Sequence, residues 1–216
     1  MSSLLEFGLL SFTSLFTMVN PLGVIPLYIG MTSHLPARES QKIAAKATFV
    51  AAIILILFAL TGKFLFDFFG ISVHSLRIVG GVIFFIMGYE MLQARLSKTK
   101  HDSMSDKEFA NDIAITPLAI PMICGPGAIT TVIIFMNDSP TLMHKGLLFI
   151  SVIFICALTY ILLKSGKRII QALGESGNKV LLRLMGLIVM VIAVEFFFSG
   201  LKPIFQDMLN IKVMEM

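Results

Sequence analysis

The sequence predicts an all-α integral membrane protein with six transmembrane helices, arranged as a 3+3 inverted repeat in which the first and fourth helices are broken. Three observations support this prediction. The 216 residues are 56% hydrophobic and only 14% charged, whereas about a quarter of the residues in soluble domains are charged. Proline and glycine interrupt two of the apolar segments. Short sequence matches also recur in the same order in both halves of the chain.

Apolar runs of about 20 residues, the length that crosses a bilayer, define the six spans. They cover approximately residues 4–31, 48–66, 71–92, 113–136, 146–163 and 180–205. The connections are predicted to be a polar loop after the first span with Arg38, Glu39, Lys42 and Lys46, a turn around Gly70, and a basic loop through Lys167, Arg168 and Lys179.

The chain divides into a first three-helix repeat over residues 1–94, a polar cytoplasmic linker over 95–112 and a second three-helix repeat over 113–216, which together form one membrane domain. The loops after the first, third and fifth spans hold more than twice as many Lys and Arg residues as the opposite side. Because cytoplasmic loops are enriched in these residues, both termini are predicted to lie outside.

The fourth span cannot be a continuous helix. It contains Pro117, Pro121, Gly125, Pro126 and Gly127, and proline removes a backbone donor and clashes with the preceding turn. The sequence therefore predicts a break near residues 125–127. The first span has a similar interruption at residues 20–23, Asn-Pro-Leu-Gly.

The two interruptions are part of a longer internal repeat. Residues 19–23 align with 124–128, residues 59–61 with 157–159, and residues 76–80 with 182–186. Three spans per repeat is an odd number, so the halves are predicted to have opposite orientations. Inverted repeats with broken helices are typical of secondary transporters, whose substrate sites lie near the midplane of the membrane between the repeats.

These motifs resemble those of a known family. The segments Asn-Pro-Leu-Gly at 20–23, Pro-Leu-Ala-Ile-Pro at 117–121, Gly-Pro-Gly-Ala-Ile at 125–129 and Arg-Leu-Met-Gly at 183–186 are similar to the MarC family of bacterial and archaeal inner-membrane proteins. The resemblance covers essentially the whole chain. It implies a six-span permease in the inner membrane, and some members resemble transporters of glycine and alanine. Membership alone does not give the substrate.

Unwound backbone in a membrane leaves N–H and C=O groups that need protein, water or a ligand. A half-helix N-terminus suits a carboxylate, while carbonyl groups suit an ammonium group or a cation. The predicted substrate-binding residues are therefore Asn20, Pro21, Gly23, Gly125, Pro126, Gly127 and Thr130. Two structural alternatives stay open: the amide of Asn20 could cap freed backbone groups, and the glycines could be close contacts between helices.

Two acidic residues within the spans are candidates for ion coupling, because a carboxylate in a membrane is costly and marks function by default. Glu195 lies deep in the sixth span and is the stronger candidate for proton or sodium coupling. For Glu90 an interfacial position is favoured. The four histidines form no metal-spaced cluster, so no metal site or cofactor is predicted.

The leading hypothesis is a secondary transporter of a small solute, most consistent with small neutral amino acids such as glycine or alanine, working by alternating access in the lipid bilayer. The sequence contains no phosphate-binding loop for ATP. The basic residues lie in short loops, so a nucleic-acid partner is not expected; whether the chain forms a homo-oligomer stays open. An intramembrane enzyme would need convergent catalytic groups that the spans lack. The remaining alternative is a non-transporting membrane subunit or a regulatory or stress-related membrane protein.

Overall fold

The described part of the chain is helical. The computed structural model describes residues 4–32, 35–93 and 112–209, with the backbone alone over 167–175, 178 and 207. The elements are α1 (Leu4–Val19), α2 (Pro21–Thr32), α3 (Ala37–Phe69), α4 (Val73–Leu92), an irregular π-helical segment (Ala114–Ile123), α5 (Pro126–Asn137) and α6 (Leu142–Leu209). The all-α prediction is confirmed for these residues. Most of the predicted linker at 95–112 lies outside them.

Within the described residues, five helical stretches are long and apolar enough to cross a membrane. The first is Leu4–Thr32, which combines α1 and α2, and α6 supplies two, Leu142–Gly166 and Lys179–Gln206. A sixth span results if the π-helical segment and α5, which are bent by 56° relative to each other, are counted together. The described chain thus has five or six candidate spans.

Both predicted helix breaks are present. The first span is interrupted at Asn20, between α1 and α2. The fourth is interrupted at Cys124 and Gly125, but its irregular backbone begins earlier than predicted, because Thr116 and Ile120 have extended φ and ψ angles. Each of these residues precedes a proline, which disfavours the helical conformation in the residue before it.

Contacts between the spans give their relative directions. The hydroxyl groups of Ser11 and Ser151 are 3.2 Å apart, and a Cβ on Gly166 would lie 3.0 Å from Cδ1 of Ile29. The first span of α6 therefore runs parallel to α1 and α2. A Cβ on Gly30 would lie 4.0 Å from Cδ2 of Leu182. Residues 166 and 182 thus both lie near the end of α2. In a straight helix they would be ~24 Å apart, so α6 bends back on itself between its two spans.

The two predicted polar loops are wrong. Helix α3 begins at Ala37 rather than near residue 48, because Ser40, Ile43, Ala44 and Ala47 form a buried stripe at helical spacing while the charged residues face outwards. The hydroxyl of Tyr28 donates a 2.7 Å hydrogen bond to the carbonyl of Ser40 and ties this extension to α2.

The backbone is also helical through Lys167, Arg168 and Lys179, where a basic loop was predicted. No proline lies between Pro140 and Pro203, so no residue in this segment is barred from a helix by a missing donor. The predicted turn at Gly70 is confirmed: Gly70 ends α3 with a φ of 63°, a left-handed conformation that glycine adopts without a side-chain clash.

Helix α4 packs against the second span of α6 through glycine. A Cβ on Gly88 would lie 2.7 Å from the carbonyl oxygen of Gly186, and a Cβ on Gly186 would lie 2.7 Å from the carbonyl oxygen of Gly88. Small residues of this kind allow two helix backbones to approach closely, which is a main source of helix association in membranes. This contact fixes the position of the α6 residues that face the first helix break.

We expect Gly88→Ala to lower the thermal stability of the detergent-purified protein. The added methyl group meets backbone atoms, which cannot rotate away, so the cost is about 1–3 kcal/mol. Gly146→Ala is the matched control, because a Cβ on Gly146 has no atom within 4 Å. Alanine in place of glycine within a helix should there be neutral or stabilise by about 0.5–1 kcal/mol. Equal melting temperatures for both variants would contradict this account of the interface.

Candidate functional site

A cavity of about 250 Å³ lies beside the break in the first span. Its walls come from α1, α2, α4, the π-helical segment and the second span of α6. The lining residues are Thr17, Met18, Val19, Asn20, Gly23, Val24, Phe84, Met122, Val189, Val191, Ile192, Glu195 and Phe196. Drug-sized ligands occupy sites of about 300–1,000 Å³, so this cavity suits a smaller molecule.

Asn20 satisfies the N–H of Gly23 at the first break with both its backbone and its side chain. It has a φ of 45°, a left-handed conformation that asparagine tolerates better than most residues. The N–H of Gly23 donates to two oxygens of Asn20, the backbone carbonyl at 2.9 Å and the side-chain oxygen at 3.2 Å, so Asn20 is the N-cap of α2. A Cβ on Gly23 would lie 2.5 Å from Nδ2 of Asn20, which explains the glycine. The capping bond uses only the oxygen, and Nδ2 is left for another acceptor.

The second break has no equivalent cap. Gly125 stands at the N-cap of α5 with an extended φ of −76°, and no side chain caps the helix. The first intrahelical bond joins the N–H of Ile129 to the carbonyl of Gly125. The N–H groups of Gly127 and Ala128 therefore have no acceptor in their own helix, and this helix end is suited to an anion.

The two breaks approach each other through the cavity wall. A Cβ on Gly127 would overlap with the ring of Phe196 and lie 3.0 Å from Sδ of Met18. The rings of Phe84 and Phe196 meet edge to face with their centroids 6.1 Å apart. A Cβ on Gly125 would lie 2.5 Å from Cζ of Phe84. Glycine at both positions lets the start of α5 pack directly against residues of the cavity wall.

The structure brings some of the predicted site residues together. Asn20, Gly23 and Glu195 line the same cavity, although they come from opposite halves of the chain. Gly125 and Gly127 contact the wall residues described above.

Six predicted residues lie outside the cavity lining: Gly125 and Gly127, which contact its wall, and four others. Pro21 and Pro126 are buried in helix packing. Pro126 packs against Gly80 of α4. Thr130 is 2% exposed, and its Oγ1 atom has no hydrogen-bond partner. Glu90 lies in the last turn of α4 and is exposed.

The sequence reasoning missed the walls of the cavity. Met18, Phe84, Met122 and Phe196 provide much of its apolar surface, but apolar residues in apolar spans carry no signal of their own. Two local signals existed: Phe196 follows Glu195 directly, and Phe84 lies one helical turn after Gly80. Among the described residues, no group of three or more His, Cys, Asp or Glu side chains could hold a metal ion.

Comparison with known proteins assigns the family. The model of the MarC family of integral membrane proteins matches residues 5–205. The chain belongs to the MarC family. Members are found in archaea and bacteria, and the matched residues include both helix breaks and every residue that lines the cavity.

Three relatives illustrate the range of the MarC family. A UPF0056 membrane protein of Pyrococcus horikoshii is 40% identical over 195 residues, which cover 90% of this chain and 94% of the relative. The relative from Bacillus subtilis is 36% identical, covering 90% and 93%, and that from Escherichia coli 32%, covering 92% and 94%. Their names state a membrane location and no activity. No solved structure matches the chain.

The geometry of Asn20 predicts the order of stability of two variants. Asn20→Ala removes the cap and places a residue with a Cβ and no polar group in a left-handed conformation, which together should cost about 1–3 kcal/mol. Asn20→Gly removes the cap but relieves the backbone, and should cost only a few tenths of a kcal/mol. Thermal unfolding in detergent measures both. An alanine variant as stable as the glycine variant would refute the capping role.

Proposed function

We propose that this MarC protein is a secondary transporter of a small solute, and that small neutral amino acids such as glycine or alanine are its substrates. One observation supports the proposal above all others: two helix breaks, more than 100 residues apart in sequence, adjoin one cavity of about 250 Å³. A scaffold protein has no need for two broken spans. The N–H groups left without an acceptor at the second break are costly in a membrane unless a ligand or a rearrangement uses them.

Alternating access is the proposed mechanism. The residues at the two breaks belong to the internal repeat of the sequence, and the spans that contain them run in opposite directions. Phe7 at the start of α1 packs against Phe135 at the end of α5, with ring centroids 5.5 Å apart, while Met18 adjoins Gly127. Two inverted halves of similar sequence can exchange conformations, which would open the same cavity to each side of the membrane in turn.

The polar groups near the cavity suit a zwitterion. Asn20 offers the N–H groups of Nδ2, and Glu195 offers a carboxylate that could pair with an ammonium group. The N–H groups of Gly127 and Ala128 adjoin the wall formed by Phe196 and Met18. We infer that rotation of the Phe196 ring admits the substrate carboxylate to this helix end. The apolar walls would then exclude solutes with long polar side chains.

An uptake assay tests the function. Vesicles containing the purified protein should take up labelled glycine or alanine faster than protein-free vesicles, and unlabelled substrate should compete. Asn20→Gly is the informative variant, since it should fold normally but lacks the amide group, and its uptake should fall about tenfold or more, the cost of one hydrogen bond in a desolvated site. Uptake equal to that of protein-free vesicles would reject the transporter and favour a non-transporting membrane subunit.

The placement of Glu195 in the cavity leads to a prediction about coupling. Glu195→Gln should abolish accumulation driven by a proton or sodium gradient, because the neutral amide cannot take up and release the ion. Exchange of labelled for unlabelled substrate should persist. Glu90→Gln is the matched control, because Glu90 lies outside the cavity, and should retain both activities. Gradient-driven accumulation at the wild-type rate in Glu195→Gln would show that Glu195 is not the coupling site.

A further inference from the structure

A second concave surface lies on the outside of the helix bundle, between α3 and the first span of α6. This groove has a volume of about 490 Å³ and is separate from the cavity at the breaks. Its α3 wall runs from Ala45 through Phe49 to Ile56, and its α6 wall from Ile153 to Tyr160. The two walls are antiparallel. Tyr28 and Ile29 are neighbours in α2: Tyr28 bonds the start of α3, and Ile29 lies beside Gly166, at the end of the first span of α6. The Ala45 and Tyr160 ends therefore lie together.

The surface of the groove is apolar. Most of its residues are Ala, Ile and Phe, and Phe49 and Ile153 are 66% and 57% exposed. The hydroxyl of Thr48 donates to the carbonyl of Ala44 in its own helix, at 2.9 Å, and so presents its methyl group instead. Such a surface suits a hydrocarbon chain and offers little to a polar solute.

The length of the groove corresponds to one leaflet of the membrane. The eleven-residue step from residue 45 to residue 56 is ~16 Å along a helix. The hydrocarbon core of a bilayer is about 30 Å thick, so one acyl chain spans about half of that distance. A single lipid chain would therefore fill the groove from end to end.

Positive charge stands closest to the groove at one end, because the nearest basic residues at the other end, Lys63 and Lys145, lie two turns beyond it. Lys42 lies one turn beyond Ala45 on the same face of α3, and Lys164 lies one turn beyond Tyr160 on the same face of α6. The ammonium group of Lys164 is 6.0 Å from the centre of the Tyr160 ring. One turn beyond the opposite end, the corresponding residues are Leu60 and Phe149.

One carboxylate reduces the charge at the basic end. Lys42 pairs with Glu39 at 2.7 Å, but its side chain is 62% exposed, and exposed pairs of this kind are weak and easily exchanged. Arg38 is exposed one turn further along the same face. The net charge at this end stays positive and can attract an anionic headgroup.

We propose that this groove is a binding site for an anionic phospholipid. Its acyl chain lies between α3 and α6, against Phe49 and Ile153, and its phosphate meets Lys42 and Lys164. The groove holds lipid at the junction of the two halves of the chain, since α3 belongs to the first half and α6 to the second. The site is independent of the solute that the central cavity accepts.

Tryptophan fluorescence tests the proposal, because the chain contains no tryptophan. Phe49→Trp places a single fluorophore in the groove, and phospholipids with brominated acyl chains quench it on contact. Brominated phosphatidylglycerol should quench it at lower mole fractions than brominated phosphatidylcholine. Replacing both Lys42 and Lys164 with glutamine should weaken the apparent affinity for phosphatidylglycerol about fivefold per lysine. High salt should reduce the preference in the same way.

Phe154→Trp is the matched control. Phe154 directly follows the groove residue Ile153 on α6, so it lies at the same depth as that residue, but it is 56% exposed and is not part of the groove. The two lipids should quench it equally. Ile53→Trp provides a second reporter within the groove in case the first variant folds poorly. Equal quenching by both lipids at Phe49→Trp and Ile53→Trp would overturn the proposal. A preference for phosphatidylglycerol that survives the lysine substitutions would also overturn it. So would a second copy of the chain that shields these tryptophans from both lipids.

Discussion

The structure depends on how backbone polar groups are satisfied at two helix breaks inside a membrane. Hydrocarbon offers no hydrogen-bond partner, so each freed N–H or C=O group needs an internal one. At the first break, Asn20 supplies it by capping α2 through the N–H of Gly23. At the second break, Gly125 has no side chain to do so. The first break therefore has a satisfied helix end, and the second has one that a ligand could use.

Close packing holds these breaks in place. The glycine contact between α4 and the second span of α6 sets the positions of Phe84 and Phe196, which lie on those two helices and meet edge to face. Glycine at 125 and 127 then allows α5 to approach both rings. Larger residues at these positions would separate the breaks from the cavity. Packing between helices thus decides where the unsatisfied backbone is exposed.

Much of the fold could be predicted from the sequence because its strongest signals are local. Apolar length predicts spans, and proline with glycine predicts breaks at Asn20 and Gly125. The start of α3 could not be read in the same way, because Arg38, Glu39 and Lys42 resemble loop residues until the buried stripe beneath them is known. The cavity walls depend on pairings between distant segments, such as Phe84 with Phe196, which a single sequence does not encode in a readable pattern.

Access to the cavity from both sides of the membrane is the most direct test of the proposed mechanism. Met18→Cys, with Cys124 and Cys156 replaced by serine, places a single thiol between the two breaks. Sealed vesicles in which the protein has one orientation are compared with sealed vesicles in which it has the other. A membrane-impermeant maleimide should label this thiol in both, and glycine or alanine should slow the reaction. Labelling from one face only, or none from either, would contradict alternating access.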